Sequence, residues 1–151
     1  AKNARIFLYL GQLYARLDQL EAATSAALQA LELRAGYSDA YSLLSEIYVK
    51  QEKYAEAIAA LDAAVENTRY RRERFYVKRA TIHMITGDSQ MALNDYVLAR
   101  QDNPDNAAAW LGEFEAAISQ DNREVAGAAL GEFVKLRPND DRIKSMREKL
   151  Q

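Results

Sequence analysis

The stretch ARIFLYLGQLYARLDQLEAATSAALQALELRAGY, residues 4–37, decides the fold, because the next 34 residues repeat its pattern. Residues 38–71, SDAYSLLSEIYVKQEKYAEAIAALDAAVENTRYR, follow without a gap and carry rings, small residues and aliphatic residues at matching positions. The pattern continues in 73–106 and 107–140 once a single extra residue, Arg72, is allowed between the second and third units. A fixed period of about 20 to 50 residues is typical of stacked structural repeats. The sequence therefore predicts four repeat units.

Rings and small residues recur in a fixed order when positions are counted from the first residue of each unit. The fourth position carries a ring in every unit: Phe7, Tyr41, Tyr76 and Trp110. The eighth position is small in three of four units: Gly11, Ser45, Ala80 and Phe114. The twentieth position is always alanine: Ala23, Ala57, Ala92 and Ala126. Because small residues let two helices approach closely while rings fill the remaining space, each unit is predicted to be a helical hairpin.

This order of residues resembles the tetratricopeptide repeat (TPR) family. Leu10, Gly11 and Tyr14 match the Leu-Gly-x-x-aromatic part of the family pattern directly, and Pro104 and Pro138 stand where the pattern closes with proline. The resemblance implies an all-α fold of four TPR helical hairpins stacked as a right-handed α-solenoid with a C-terminal capping helix. The implied boundaries are 4–37 for TPR 1, 38–71 for TPR 2, 73–106 for TPR 3, 107–140 for TPR 4 and 141–151 for the capping helix, in one continuous array.

Local chemistry predicts where the helices begin and end. First helices are expected over 4–17, 38–51, 73–86 and 107–120, and second helices over 20–34, 54–67, 89–102 and 123–136. Asn3 is predicted to cap the first helix, and Gly87 to take the left-handed conformation that closes another. After Pro138, Ile143, Met146 and Leu150 fall on one side of a charged segment, which predicts a capping helix over 140–150.

The fourth unit departs from the pattern. Phe114 and Phe133 stand where the other units have small residues, and Ala117 replaces a ring. We interpret this as an exchange of bulk that keeps the core volume similar. Gly127 and Gly131 lie one helical turn apart, which predicts close approach by the capping helix or by a second molecule, the alternative being local tolerance of glycine.

Composition excludes several classes of protein. The 20 basic and 22 acidic side chains give a net charge of −2, which lacks the basic excess of a dedicated nucleic-acid binder. There is no cysteine, so disulfides and thiolate sites are excluded. No apolar run is long enough to cross a bilayer, so we expect no membrane insertion by this segment. Because the first residue is Ala1 and not Met, we expect that the natural start has been removed, and cytoplasm and periplasm are both compatible with the sequence.

No catalytic or metal-binding constellation is recognisable in the sequence. A nucleophile, base and orienting group in suitable spacing are missing, as are clustered metal ligands and a phosphate-binding glycine loop. The only histidine, His83, stands where the family pattern has a core aromatic, which favours a packed or hydrogen-bonded core role over a ligand role. We therefore predict no enzymatic activity, no cofactor and no metal.

In the resembled family, the first helices line a concave groove that holds a protein or peptide partner, and this implies a non-catalytic protein-protein interaction scaffold, part of a larger complex or chain. Carried over position by position, the groove contains Arg5, Leu8, Tyr9, Gln12, Arg16, Asp39, Ser42, Leu43, Glu46, Lys50, Arg74, Val77, Lys78, Thr81, Met84, Leu111, Glu115 and Ile118. One subclass of the family grips the terminal carboxylate of chaperone tails with lysine, asparagine and arginine at five of these positions. Those positions hold Leu8, Gln12, Leu43, Arg74 and Lys78, so only the basic pair is present and we reject this specificity.

Two alternatives stay open beside the groove. The first is a polyanion-binding module that uses the basic cluster of residues 69–79, against which stands a merely solvated turn. Its candidate anion patch comprises Arg69, Arg71, Arg72, Arg74 and Lys78. The second alternative is a structural or self-association module, suggested by Gly127, Gly131 and the unusual fourth unit.

Overall fold

The computed structural model describes residues 2–151, for Lys2 the backbone only, and these residues form nine α-helices and no strand. The helices are α1 (Lys2–Arg16), α2 (Leu20–Leu33), α3 (Ser38–Lys50), α4 (Tyr54–Asn67), α5 (Glu73–Thr86), α6 (Ser89–Asp102), α7 (Ala107–Ser119), α8 (Arg123–Leu136) and α9 (Arg142–Glu148). The predicted all-α fold of helical hairpins with a terminal helix is confirmed, and every helix begins and ends within two residues of its expected bounds.

The chain divides into two compact units, Ala1–Phe75 and Tyr76–Gln151, which we call unit 1 and unit 2. In unit 1, α1 packs against α2 and α3 against α4, and α2 also packs against α3. The second helix of one hairpin thereby covers the first helix of the next. Unit 2 repeats this arrangement, since α7 packs against α8 and is covered by α6, while α9 packs against α8.

Alanines of α2 form the centre of the unit 1 core. Ala23, Ala27 and Ala30 are fully buried among aliphatic side chains of α1 and α3. A methyl group at Gly11 would lie 2.9 Å from Leu43 Cδ2 and 3.2 Å from the carbonyl oxygen of Ala23. The small residue predicted at this position is therefore required, because the backbones of α1 and α2 approach closely here.

The core of unit 2 confirms the exchange of bulk predicted for the fourth hairpin. Phe114 and Phe133 are 0% and 1% exposed, and Ala117 is also fully buried beside them. The capping helix α9 adds Ile143 and Met146 to the same cluster. Two large rings and one small residue thus fill a space that the other hairpins fill with one ring and two small residues.

Two expectations from the sequence are wrong. Asn3 lies inside the first turn of α1, which already includes Lys2, so Asn3 does not occupy the N-cap position. Of the explanations for Gly127 and Gly131, only close approach by the capping helix is wrong, since a methyl group at either would meet no atom within 4 Å. The α9 helix instead directs its apolar residues toward the core around Phe133.

Each hairpin turn contains one residue in the left-handed conformation, always at position 15 of its unit. These residues are Asp18 (φ 58°), Glu52 (φ 58°), Gly87 (φ 86°) and Asp121 (φ 54°). In every case the next residue donates its N–H to a carbonyl five residues back, for example Lys53 to Tyr48 at 2.8 Å and Asp88 to His83 at 2.8 Å. This is the Schellman closure of a helix, and it confirms the role predicted for Gly87.

A glycine should fit this turn better than the acidic residues that three hairpins carry. We expect Glu52→Gly to raise the free energy of unfolding by about 0.5–1 kcal/mol and Gly87→Ala to lower it by about 1 kcal/mol, because a left-handed residue with a Cβ is strained. Urea unfolding followed by circular dichroism measures both. Ala59→Gly, on the exposed face of α4, is the matched control and should destabilise by about 1 kcal/mol. Destabilisation by Glu52→Gly similar to that of the control would contradict the strain argument.

Candidate functional site

The predicted groove residues all lie on the first helices of the hairpins, α1, α3, α5 and α7. Those from Arg5 to Arg74 belong to unit 1, and those from Val77 to Ile118 belong to unit 2. The two sets are therefore described separately.

A cleft of about 340 Å³ in unit 1 brings five of the predicted groove residues together. Its lining residues are Gln12, Ala15, Arg16, Leu43, Glu46, Ile47 and Lys50, from α1 and α3. Leu43 and Ile47 are 6% and 1% exposed, so they form an apolar floor under a polar rim. The sequence analysis did not name Ala15 or Ile47, whose small exposed surfaces give no polar signal in the sequence.

The rim of this cleft carries more positive than negative charge. Arg16 and Lys50 supply two cations and Glu46 supplies one carboxylate. The Nζ atom of Lys50 also lies 3.4 Å from the backbone oxygen of Ala15, which places the ammonium group beside the α1 side of the cleft. An acidic group near an apolar side chain is the ligand chemistry that matches this rim and floor.

Other predicted groove residues of unit 1 lie outside the cleft. Leu8 is only 3% exposed and packs in the core, so it presents almost no surface to a partner. Tyr9 is 52% exposed, and its hydroxyl accepts a hydrogen bond of 2.8 Å from Arg5 Nε. Ser42 is half-buried on α3. Of the predicted groove residues of unit 1, those around Leu43 are therefore the ones that share a cleft.

Arg74 is paired within unit 1 and contributes little net charge. Its Nη2 lies 3.1 Å from Asp39 Oδ1, and its guanidinium stacks 4.7 Å from the ring centre of Phe75. Its Nε atom is buried without a hydrogen-bond acceptor. Both Asp39 and Arg74 are predicted groove residues, so a ligand there meets a neutralised pair and not a lone cation.

In unit 2, the groove residues of α5 are partly committed to the core. Val77 and Met84 pack beside Ala80 and Tyr96, while the exposed Thr81 donates a hydrogen bond of 2.9 Å to the backbone oxygen of Val77. Lys78 is half-buried. These residues present a modest apolar surface with polar edges.

The α7 residues have different surroundings. Leu111 lines a cleft of about 270 Å³ with Ala107, Ala108, Phe133, Arg137, Asp140 and Arg142, whereas Glu115 is exposed and Ile118 packs against the core. Hydrogen bonds from the side chain and backbone of Arg142 lower the pKa of Asp140 to about 2. Asp140 is thus ionised at neutral pH and pairs with Arg142, and Arg137 leaves this cleft with two cations and one carboxylate.

The basic cluster of residues 69–79 is divided by its contacts. Arg79 donates hydrogen bonds to both carboxylate oxygens of the buried Asp95, one of them 2.8 Å long, and so belongs to the core of the α5–α6 hairpin. The Nε atom of Arg71 lies 4.0 Å from Oε1 of Glu73. Arg69 and Arg71 are exposed, and Tyr70 between them is 82% exposed. Within the basic cluster, Arg79 therefore belongs to the core, whereas Arg69 and Arg71 of the candidate anion patch lie at the surface.

His83 has the core role predicted for it. Its side chain is 12% exposed, and its Nε2 lies 3.8 Å from Asp95 Oδ2. Within residues 2–151, no group of three or more histidine, aspartate or glutamate side chains could hold a metal ion. Over the same part of the chain, no helix combines the length and apolar character that crossing a bilayer requires.

Helical hairpins in which the second helix of one covers the first helix of the next define a helical-repeat protein. Residues 4–37 and 38–69 match the family model of the tetratricopeptide repeat, so the resemblance to the TPR family is confirmed for these two hairpins. A comparison with curated proteins found no match.

Solved TPR structures have the same fold as this chain. YrrB, described as a TPR protein with an unusual peptide-binding site, is 17% identical with a TM-score of 0.71, over 95% of this chain and 82% of that one. A tetratricopeptide repeat protein from Parabacteroides merdae is 18% identical with a TM-score of 0.84, over 99% of this chain and 59% of that one. The first TPR of Spaghetti, bound to the HSP90 peptide SRMEEVD, is 21% identical with a TM-score of 0.69, over 75% of this chain and 91% of that one. These likenesses extend the fold of the family to the whole chain.

Proposed function

We propose that this chain is a non-catalytic protein-protein interaction scaffold that holds a peptide or protein segment against its first helices, with the unit 1 cleft as the main contact. The observation that carries the proposal is the convergence of Gln12, Arg16, Leu43, Glu46 and Lys50 on one cleft of about 340 Å³. The peptide-binding site of YrrB and the bound peptide of Spaghetti support the use of this fold for peptide recognition.

The cleft favours a segment that combines an apolar side chain with a carboxylate. The floor at Leu43 and Ile47 offers burial for one aliphatic side chain, and the cations of Arg16 and Lys50 stand at the rim. Glu46 on the same rim disfavours a second carboxylate at its end of the cleft, which gives the bound segment a direction.

Charge reversal at Lys50 tests this assignment. Peptides selected from a random library on the purified chain should be enriched in acidic residues beside aliphatic ones. Lys50→Glu should weaken their binding by about tenfold or more, because an acidic ligand loses an attractive partner and gains a repulsive one. Isothermal titration calorimetry gives the dissociation constants, and circular dichroism verifies that the variant is folded.

Lys53→Glu is the matched control, since Lys53 undergoes the same charge change three residues away and does not line the cleft. Binding should change little in this variant. Equal losses for Lys50→Glu and Lys53→Glu would indicate a general charge effect and remove the cleft as the binding site.

A second candidate function is polyanion binding at the turn of residues 69–72. It is favoured by Tyr70, whose ring is 82% exposed between Arg69 and Arg71, since an exposed ring can stack on a base beside cations that contact phosphates. Binding of this kind would fall steeply with salt concentration and with Tyr70→Ala. The pairing of Arg74 with Asp39 and of Arg79 with Asp95 makes the cleft the stronger candidate.

A further inference from the structure

The first helix exposes a row of large apolar side chains. Ile6 and Leu13 of α1 are 61% and 52% exposed, Leu10 lies between them, and Leu17, directly after the end of α1, is 59% exposed. The spacing of 6, 10, 13 and 17 is that of one face of a helix. A continuous apolar face of this kind on a protein surface marks an interaction site.

The equivalent face is covered in later hairpins. Ile6, Leu10 and Leu13 occupy positions 3, 7 and 10 of their unit, which in α3 are held by Ala40, Leu44 and Ile47. Those three residues are 0%, 3% and 1% exposed, because α2 packs over α3.

The same positions of α7 show the same effect in unit 2. Ala109, Glu113 and Ala116 are 0%, 4% and 0% exposed, and α6 packs over α7. Glu113 accepts a hydrogen bond of 2.7 Å from Arg100 of α6. Positions 3, 7 and 10 are therefore the seat for the second helix of a preceding hairpin.

The groove between α1 and α2, which we call the seam, is also not filled by a side chain. A cleft of about 230 Å³ lies along it, lined by Leu10, Tyr14, Ala22, Ser25, Ala26 and Gln29. In the next hairpin the counterparts of Leu10, Tyr14 and Ala26 are Leu44, Tyr48 and Ala60, which share one core cluster with Leu31 of α2. The open seam thus has the shape to accept a leucine from a helix placed as α2 is placed.

The helix that fills the equivalent position on α3 indicates the composition that fits. The α2 helix is rich in alanine and contains Glu21 and Glu32 and no basic residue.

We propose that Ile6, Leu10, Leu13 and Leu17 form a docking face for an alanine-rich, acidic helix, namely the second helix of a further TPR-type hairpin outside residues 1–151. That helix seats on α1 as α2 seats on α3, and it places a leucine in the seam beside Leu10 and Tyr14. In a second copy of the chain, three of the second helices are already occupied, because α2 and α6 cover α3 and α7, and α8 carries α9.

The test supplies the helix by fusion. A copy of residues 4–37 is joined directly ahead of Ala4, so that the 34-residue period is kept and a second α2 sequence precedes α1. Hydrogen exchange followed by mass spectrometry should show the amides of the original α1 exchanging about tenfold more slowly or better, because in a repeat array each unit is stabilised by its neighbour. The urea midpoint should also rise.

The matched control is the same fusion with Ile6→Glu and Leu13→Glu in the original α1, which should lose the added protection. In the unfused chain these substitutions should leave the urea midpoint nearly unchanged, since both side chains are more than half exposed. The proposal is overturned if the fused hairpin folds without slowing exchange in α1. It is also overturned if light scattering shows the unfused chain to be a dimer that Leu13→Glu dissociates, because the occupant is then a second copy.

Discussion

Replacing Gly112 with alanine is expected to lower the free energy of unfolding by about 2–3 kcal/mol, the cost typical of overpacking a core. Gly112 lies in α7 at its contact with α6, and a methyl group there would overlap the ring of Tyr96, at its Cε1, Cζ and Cδ1 atoms. Tyr96 is only 5% exposed and packs with Ala92 and Ala116, so its ring has little room to move aside.

The effect is separable from the helix propensity of alanine, which by itself would stabilise α7 by about 1 kcal/mol. Gly127→Ala is the matched control, because a methyl group at Gly127 in α8 would meet no atom within 4 Å and should stabilise the protein. Urea unfolding followed by circular dichroism measures both variants. In the double variant Gly112→Ala/Tyr96→Leu, the two changes should be less harmful than their sum, since the smaller side chain removes the overlap. A neutral or stabilising Gly112→Ala would contradict the close approach of α6 and α7.

The fold could be predicted from the sequence because its pattern is repeated. A ring, a small residue and an alanine at fixed positions occur in four units, so errors at one position, such as Phe114 in place of a small residue, are outweighed by the others. The repeat register also allowed the groove positions of the resembled family to be carried over to this chain, and five of those residues line the unit 1 cleft.

Three features were not predicted from the sequence, because they depend on contacts between helices and on hydrogen bonds within the turns. Gly112 stands two positions before the usual small residue, and only the placement of Tyr96 shows why glycine is needed there. Leu8 was predicted to line the groove because its position does so in the family, yet helix packing turns it into the core. The left-handed residues Asp18, Glu52 and Asp121 carry no glycine signal, because the Schellman hydrogen bonds of the turn impose the conformation on them.

Charge partners are the other feature that a linear sequence hides. Arg79 belongs to a run of cations, but its side chain reaches Asp95, sixteen residues further along the chain on α6. Likewise Arg100 reaches Glu113, and burial raises the pKa of that carboxyl although hydrogen bonding and the charge of Arg100 oppose the shift. A basic cluster is therefore an upper limit on the cations that a ligand can meet.

The buried pair of Arg79 and Asp95 leads to the second prediction with a large effect. Asp95→Ala should lower the free energy of unfolding by about 3 kcal/mol, because it leaves the guanidinium, 20% exposed, without its carboxylate partner. The pair joins α5 to α6, so its loss should also loosen Val77, Thr81 and Met84, which are predicted groove residues of α5. Urea unfolding measures the stability, and hydrogen exchange measures the protection of α5.

Two further variants distinguish a buried pair from a surface one. Glu132→Ala removes an exposed pair with Lys135, whose side chains are 44% and 70% exposed, and should cost less than about 0.5 kcal/mol. Replacing both partners, as Arg79→Met/Asp95→Leu, should restore most of the stability, since no uncompensated charge remains. If Asp95→Ala cost no more than Glu132→Ala, the pair would contribute no more than an exposed ion pair does, and the assignment of Arg79 to the core of the α5–α6 hairpin would be wrong.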